Sequence, residues 1–294
     1  MKRTLAIINE ACDKHGPGYL AFSGGTDSMV LLDLVYRLTP HRPPLVYVDA
    51  QNDYPGTLAY VRSVADRYGA TLYPIRATKT LERQWTRTGW PMLGKLRARQ
   101  WMQRHKGLGV KIDCSSCCSA MKTEPARQFA KSLGLGLAIT GQRGGEDDCL
   151  RGTRAWKDGA ITWNKAAGIW TANPLTGWTA TMINRYTRAH DLPHHPARDA
   201  GAVTIGCIWC GGGAQYSASC YRVLRKTDPA LWRQFVVEMR GGEIILAVKY
   251  CASLETVRAA IELQGGLAQM AYARPWVFDF LEMPPRPNYD RGLV

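Results

Sequence analysis

The chain has 294 residues, 46% of them hydrophobic and 21% charged, and carries a formal net charge of +14 at pH 7. This balance excludes a disordered chain, and without a run of 18 apolar residues no membrane-spanning helix is predicted. The apolar run within Met1–Ile8 is too short for a secretory signal, so we expect a cytoplasmic protein whose nine cysteines bind metal or react as thiols.

Short apolar runs alternate with helical patterns through the first half, which predicts an α/β fold with a parallel sheet flanked by helices. The predicted strands are Tyr19–Phe22, Leu45–Asp49, Thr71–Ile75 and Leu135–Thr140, and the predicted helices are Asp27–Arg37, Pro55–Tyr68 and Ser119–Ser132. Loops that follow the strands then meet at one edge of the sheet, where open α/β sheets bind ligands. Asp49 ends the second strand and is therefore a predicted nucleotide-binding residue.

The loop between the first strand and its helix predicts a phosphate site. It consists of Ser23, Gly24, Gly25, Thr26, Asp27 and Ser28, and is called the phosphate loop below. Its glycines let backbone N–H groups point inward, its serines add hydroxyl donors, and the helix that follows presents its positive end to an anion. Neither G-x-x-x-x-G-K-[ST] nor G-x-G-x-x-G is present, so the loop is neither of the common nucleotide motifs. The alternative is an ordinary turn that caps a helix.

A basic segment spans residues 79–106. It contains eight cations, the single acid Glu82 and three tryptophans placed among them. The cations are Lys79, Arg83, Arg87, Lys95, Arg97, Arg99, Arg104 and Lys106, and the tryptophans are Trp85, Trp90 and Trp101. Cations with stacking rings suit a nucleic acid strand, so DNA or RNA is a predicted partner. The alternative is a solvated helix face whose tryptophans belong to the core.

The second half has a different texture, with Trp-rich short segments, a predicted helix at Thr179–His190 and helices beyond Asp228. We divide the chain into a nucleotide-binding domain, 1–150, and a mainly helical, cysteine-containing region, 151–294, that completes the site. His194 and His195 lie in a Pro-flanked loop, and we expect them to form structural hydrogen bonds rather than a metal site.

Four cysteines from two distant segments predict a metal site. Cys117 and Cys118 are adjacent, and 88 residues separate them from the C-x-x-C formed by Cys207 and Cys210. Thiolates suit zinc or an iron–sulfur cluster, and adjacent cysteines chelate tetrahedral zinc poorly, so we predict a [4Fe-4S] cluster. Cys114 and Cys220 are alternative ligands, and Cys12, Cys149 and Cys251 are predicted to be buried small hydrophobes.

Several motifs resemble one known family. The phosphate loop matches every fixed position of the S-G-G-x-D-S loop of the adenine-nucleotide alpha-hydrolase superfamily. The segment 117–125 resembles the C-C-x-x-x-K-x-x-P motif of iron–sulfur adenylyl-sulfate reductases. Further matches follow in the same order at Asn173-Pro174-Leu175, Trp178-Thr179, Leu192-Pro193 and 205–210, with weaker ones at 52–58 and Gly141-Gln142-Arg143. From Tyr19 to Cys220 the sequence resembles the phosphoadenylyl-sulfate reductase-like branch.

This resemblance implies a Rossmann-like nucleotide domain whose phosphate loop binds ATP or adenylyl sulfate. In it, Asp27 holds Mg²⁺ or orients the loop, and Lys122 and Arg143 neutralise charge on the nucleotide. The cluster tunes the site or carries sulfur. The alternatives are a surface helix cation for Lys122 and a salt bridge from Arg143 to Glu146 or Asp147.

The sequence departs from the family reductases in two places. They carry a nucleophilic cysteine in an E-C-G-x-H segment, whereas no cysteine follows Cys251 here, and Gly56 replaces a family glutamate. We therefore expect an ATP-using enzyme that adenylates an acceptor before sulfur arrives from a donor protein, as in DNA phosphorothioation and nucleobase thiolation. The alternatives are an adenylyl-sulfate reductase with an unconventional thiol, and a nucleic-acid-binding module in which the cluster is structural.

Overall fold

A computed structural model describes residues 1–91, 112–113, 116–144, 159–165, 167–202, 205–208, 219–238, 241–250 and 253–263. The strands are β1 (Gly18–Ala21), β2 (Leu45–Asp49), β3 (Leu72–Arg76), β4 (Trp90–Pro91), β5 (Ile112–Asp113), β6 (Leu137–Thr140), β7 (Ile161–Asn164) and β8 (Ile169–Ala172). Six form one sheet in the order β3-β2-β1-β6-β8-β7, and β4 pairs with β5. Every pairing in the larger sheet is parallel except that of β7 with β8. The predicted α/β fold is confirmed, with an unpredicted antiparallel edge strand.

Eleven α-helices lie in the described residues, and several of them pack on the two faces of this sheet. They are α1 (Lys2–His15), α2 (Thr26–Leu38), α3 (Thr57–Tyr68), α4 (Leu81–Thr88), α5 (Ser116–Cys118), α6 (Glu124–Ser132), α7 (Ala180–Ala189), α8 (Ser219–Thr227), α9 (Pro229–Arg233), α10 (Gly241–Tyr250) and α11 (Leu254–Glu262). On one face Leu20 and Ile139 join a core formed with α1, α2, α3 and α7. On the other face their neighbours Tyr19 and Ala138 pack near α6. This alternation follows from the two-residue period of a strand.

The structure corrects the limits of several predicted elements. The predicted helix Pro55–Tyr68 starts too early, because Gly56 is left-handed, with φ of 82°, and α3 begins only at Thr57. The predicted helix Ser119–Ser132 is longer, since α5 leads into a π-helical turn, Ser119–Thr123, and then α6. The helix α1 and the strands β7 and β8 were not predicted from the pattern.

The strand order reverses between β1 and β6, and this point defines a crevice. In open α/β sheets ligands bind outside the carboxyl ends of the two strands that flank such a reversal. The phosphate loop follows β1, and the Gly141–Arg143 motif follows β6. Asn173 supports the second loop, since its Oδ1 accepts a hydrogen bond from Thr140 Oγ1 at 2.5 Å. The fold therefore brings two motifs to the same crevice.

Residues beyond 150 contribute to the same sheet. β8 pairs with β6, and Trp178 Nε1 donates to Thr4 Oγ1 at 2.9 Å, which ties this region to α1. The division of the chain at residue 150 stays a prediction. Within the described residues, the helices are too short or too polar to cross a bilayer.

Candidate active site

The phosphate loop is held in shape by its own polar groups. Gly24 has φ of 74°, and a Cβ there would lie 3.2 Å from the Tyr60 ring, so this position requires glycine. The Gly25 N–H donates to Ser23 Oγ at 3.3 Å, and Ser28 Oγ donates to the Gly25 carbonyl at 2.8 Å. Gly25 caps α2, so the first-turn amides of that helix are available to an anion.

Asp27 and Arg143, two predicted catalytic residues, meet at the start of α2. Arg143 Nε lies 3.2 Å from Asp27 Oδ1. A Cβ on Gly141 would lie only 3.1 Å from the Ser28 backbone nitrogen, so the end of β6 approaches α2 closely. Burial raises the pKa of Asp27, while the guanidinium groups of Arg143 and Arg198 oppose that rise. Glu146 and Asp147, the alternative partners of Arg143, lie outside the described residues.

Lys122 lies in the π-helical turn, within a second cluster of charged groups. Its Nζ is 3.8 Å from Asp53 Oδ1. The pKa of Lys122 is raised chiefly by its electrostatic interaction with Cys207, against the effect of burial, and Asp53 and Cys118 also raise it. Burial in turn raises the pKa of the Cys207 thiol, and the Lys122 ammonium opposes that rise. Such short π-helical turns are frequent at functional sites.

The loop after β2 supports this second cluster. Tyr47 Oη donates to Asp53 Oδ2 at 2.6 Å, and the backbone N–H of Ile208 donates to the Asn52 carbonyl at 2.8 Å. This loop therefore fixes the carboxylate that faces Lys122 and also the segment that carries Cys207. Tyr47 was not singled out in the sequence. Asp53 was noted there only as part of the 52–58 family match, with no role of its own, although its place after the carboxyl end of β2 was a usable signal.

Asp49 ends β2, as predicted. Its Oδ1 accepts the Gln51 N–H at 2.7 Å, and Arg76 Nε lies 3.8 Å from its Oδ2. In this structure the Asp49 carboxylate thus shapes its own loop, and its role toward a nucleotide stays a prediction.

The structure brings together some of the predicted cluster cysteines. Cys118 and Cys207 come from distant segments, and both raise the pKa of Lys122. Cys117 precedes Cys118 in the chain and is half-buried. The fourth predicted ligand, Cys210, and the alternative Cys114 lie outside the described residues. No group of three His, Cys, Asp or Glu side chains with metal-binding geometry occurs in the part of the chain that the structure describes. The thiol donors present are of the type that iron and zinc prefer.

Other cysteines are placed elsewhere. Cys12 lies on α1 against the sheet core, and burial raises the pKa of its thiol to about 11. Cys220 belongs to α8, and Cys149 and Cys251 fall outside the described residues.

His195 links the loop after α7 to the start of α3. Its side chain is buried, and its Nε2 lies 2.9 Å from Thr57 Oγ1. Because the Thr57 hydroxyl donates to the Tyr54 carbonyl, its oxygen accepts the Nε2 proton, while Nδ1 accepts the Ala197 N–H. The Nδ1 contact requires a neutral ring, because a protonated imidazole has no nitrogen left to accept a hydrogen bond. The geometry of His195 is therefore that of the predicted hydrogen-bonded, structural residue. The neighbouring His194 has its Nε2 2.7 Å from Asp199 Oδ1.

This geometry predicts a pH-dependent contribution to stability. Burial lowers the pKa of His195 below 6.5, so the unfolded chain binds the proton more readily than the folded one. The contribution is complete above pH 6.5 and is lost as pH falls through the folded pKa. In urea unfolding, His195→Gln should be less stable than wild type by about 1–3 kcal/mol at pH 8, and the gap should shrink at pH 5.

His194→Gln is the matched control for this experiment, because the His194 side chain is about half exposed. It should cost little stability at pH 8. A gap for His195→Gln that stays constant from pH 8 to pH 5 would contradict the neutral-ring assignment.

Only the start of the basic segment is described. Arg83 and Arg87 lie on α4 with exposed side chains. Lys79 precedes this helix, Trp85 belongs to it and Trp90 begins β4. The other predicted members lie outside the described residues: Lys95, Arg97, Arg99, Trp101, Arg104 and Lys106.

Comparisons with known proteins agree with the motifs. The model of the phosphoadenosine phosphosulfate reductase domain matches residues 18–212. The phosphoadenosine 5'-phosphosulfate reductase of Thiocapsa roseopersicina is 30% identical over 191 residues, which cover 64% of this chain and 70% of that protein. The adenosine 5'-phosphosulfate reductase of Salinibacter ruber is 24% identical over 206 residues, covering 70% and 72%.

Two solved structures are similar at lower identity. The phosphoadenylyl-sulfate reductase of Candida auris in a phosphate complex has a TM-score of 0.49 and 20% identity, covering 69% of this chain and 87% of its own. The FMN adenylyltransferase of Candida glabrata has a TM-score of 0.49 and 17% identity, covering 70% and 60%. The domain match spans both motif-bearing loops and the second cysteine segment. The chain belongs to the phosphoadenosine phosphosulfate reductase domain family.

Proposed function

We propose that this chain is an ATP-dependent sulfur-transfer enzyme that adenylates a nucleic acid. An acceptor oxygen attacks the α-phosphorus of ATP, pyrophosphate leaves with the electron pair of the broken P–O bond, and a sulfur nucleophile then displaces AMP from the activated acceptor. The observation that carries this proposal is the placement of two charged groups at the carboxyl edge of one sheet. Asp27 and Arg143 meet at the phosphate loop after β1, and Lys122 lies with Asp53 and Cys207 at the loop after the neighbouring strand β2.

Each group at the phosphate loop has a role in this reaction. The amides of the loop and of α2 bind the β- and γ-phosphates, which become the leaving pyrophosphate. The Asp27 carboxylate would hold the Mg²⁺ that accompanies ATP, and Arg143, whose Nε is 3.2 Å from Asp27 Oδ1, would then contact a phosphate oxygen. Lys122, in the cluster with Asp53 and Cys207, neutralises negative charge that develops on the nucleotide during the reaction.

Three of the four predicted cluster cysteines lie in the described residues, and their thiol groups are the kind of donor that an iron–sulfur cluster takes. Cys117, Cys118, Cys207 and Cys210 would hold a [4Fe-4S] cluster, which supplies a sulfur carrier or an electron reservoir when bound. Cys118 and Cys207 converge beside Lys122, and the cation offsets the negative charge of ligating thiolates.

A nucleic acid is the proposed acceptor because of the positive charge of this protein. A net charge of +14 suits a polyanion, and Arg83 and Arg87 present two exposed guanidinium groups on α4. A sulfur-donor protein is the proposed second partner.

A second candidate is reduction of adenylyl sulfate or its 3'-phosphorylated form to sulfite. It is favoured by the names of the relatives, which are phosphoadenosine and adenosine phosphosulfate reductases. That reaction requires a thiolate that attacks the sulfate sulfur.

One pair of assays separates these candidates. Anaerobic protein is incubated with Mg·ATP and single-stranded or duplex DNA or RNA, and pyrophosphate release is measured. In parallel, it is incubated with adenylyl sulfate and a reduced thiol carrier, and sulfite is measured. Nucleic-acid-dependent pyrophosphate release supports the first function, and thiol-dependent sulfite the second. Tight nucleic-acid binding without either product favours a binding module.

Arg83 and Arg87 allow a test of the acceptor. If both contact phosphates, Arg83→Gln with Arg87→Gln should flatten the log–log salt dependence of nucleic-acid binding by about 0.7 to 0.9 per contact. Mononucleotide binding should stay unchanged, because the phosphate loop is a separate site. Fluorescence anisotropy of labelled oligonucleotides between low and moderate salt measures the slope.

The control removes two exposed arginines on α7, Arg185 and Arg188, by the same substitution. A slope that changes equally in both double variants would show a general charge effect. Wild-type protein without measurable nucleic-acid binding at low salt would overturn the proposed acceptor and favour the reductase.

A further inference from the structure

A second arginine, Arg198, stands at the phosphate loop although no motif pointed to it. It ends the 3₁₀ turn Pro196–Arg198, and its side chain is partly buried. The positive charge of Arg198 lowers the pKa of the Asp27 carboxyl and of the Tyr60 hydroxyl, against the effect of burial. It also lowers the pKa of the His195 ring. These three groups surround the phosphate loop, since Asp27 belongs to it, the Tyr60 ring packs against Gly24, and His195 faces Tyr60 at 5.1 Å between ring centroids.

Contacts on both sides of Arg198 bring its segment to the loop. Before it, the Pro193 carbonyl accepts a hydrogen bond from Tyr60 Oη at 3.1 Å. After it, the Ile205 side chain lies 3.9 Å from where a Cβ on Gly25 would be. The described stretches on either side, 193–202 and 205–208, therefore each have a contact at the phosphate loop or at Tyr60 beside it, and Arg198 belongs to the first of them.

The backbone of Arg198 is fixed from two directions. Its N–H donates to the His195 carbonyl at 2.9 Å, and its carbonyl accepts the Gly201 N–H at 2.9 Å. His195 is itself buried and bonded to Thr57. An arginine on such a fixed backbone binds phosphate with less loss of backbone entropy than one on a free loop.

We propose that Arg198 is a phosphate-binding residue of the nucleotide site and that, with Arg143, it makes the site prefer adenine nucleotides that carry a pyrophosphate group over AMP. The Asp27 carboxylate balances one of the two guanidinium groups and leaves a surplus positive charge beside the amides of α2. A triphosphate carries more negative charge than a monophosphate and offers more oxygens to a guanidinium fork. This inference rests on the proposed function, because it assumes a nucleotide at the phosphate loop.

The test compares binding of two nucleotides to matched variants. Arg198→Gln should weaken binding of Mg·ATP by at least about tenfold, which corresponds to about 1.4 kcal/mol, and should weaken AMP binding by less than about threefold. Arg198→Lys keeps the charge and should stay within about threefold of wild type for ATP. Arg188→Gln, an exposed arginine on α7, should change neither affinity. Isothermal titration calorimetry gives the affinities, and melting temperatures verify that each variant is folded.

The outcomes separate this inference from the proposed function. Arg198→Gln that binds ATP like wild type, or that loses ATP and AMP equally, overturns the inference while the adenylation reaction stands. Wild-type protein that binds ATP but releases no pyrophosphate with any nucleic acid contradicts the proposed function and leaves the Arg198 comparison valid. Wild-type protein that binds neither ATP nor inorganic pyrophosphate overturns both.

Discussion

Cys207→Ser is expected to leave a colourless protein that has lost its iron. Anaerobically prepared wild type should be brown and contain about four irons per chain, because four thiolates from two segments suffice for a [4Fe-4S] cluster. Cys207 lies beside Lys122 and Cys118 in a partly buried cluster, and a serine oxygen is a hard ligand that binds iron in iron–sulfur clusters poorly. Iron and sulfide analysis with visible absorption spectra measures the loss.

Cys12→Ser is the matched control, since Cys12 packs on α1 against the core and away from Lys122. It should keep both colour and iron. Cys210→Ser should behave like Cys207→Ser. A colourless wild type with one zinc per chain would refute the iron–sulfur cluster and keep the thiolates as a zinc site.

The phosphate loop and its surroundings could be predicted because their signal is local. A buried apolar run, two glycines and a helical pattern lie next to each other in the sequence, and the structure shows β1, a left-handed Gly24 and α2 in that order. The strand ends then follow from the rule that parallel strands share one carboxyl edge. Asp27 and Arg143 meet because their loops flank the reversal in strand order.

The remaining site residues depend on contacts between distant segments. The residues next to Arg198 and His195 are held beside the phosphate loop by contacts with Tyr60 and Thr57, which are more than 130 positions away in the chain. A pattern of one sequence contains no signal for such a pairing. The strands β7 and β8 escaped prediction for a related reason: each has four residues, and Trp163 and Trp170 pack on each other rather than mark an alternating face.

Asp27→Ala is expected to weaken binding of Mg·ATP by at least about tenfold, a loss of about 1.4 kcal/mol or more. The substitution removes the carboxylate proposed to bind Mg²⁺ and also the group that holds Arg143 at 3.2 Å. Because the Asp27 side chain is 31% exposed and lies in a helix first turn, the melting temperature should change little. Calorimetric titration with ATP, with and without Mg²⁺, measures the effect.

The Mg²⁺ dependence distinguishes this role from a general disturbance of the loop. If Asp27 acts through the cation, omitting Mg²⁺ should weaken wild-type binding and leave the affinity of Asp27→Ala nearly unchanged, since that variant has already lost the carboxylate. Asp66→Ala is the matched control, because Asp66 is exposed on α3 and should keep the wild-type response. An Asp27→Ala protein that binds Mg·ATP as tightly as wild type, with the same Mg²⁺ dependence, would contradict the proposed Mg²⁺ contact and favour a nucleotide bound away from the first turn of α2, because the carboxylate lies in that turn beside the amides proposed to hold the phosphates.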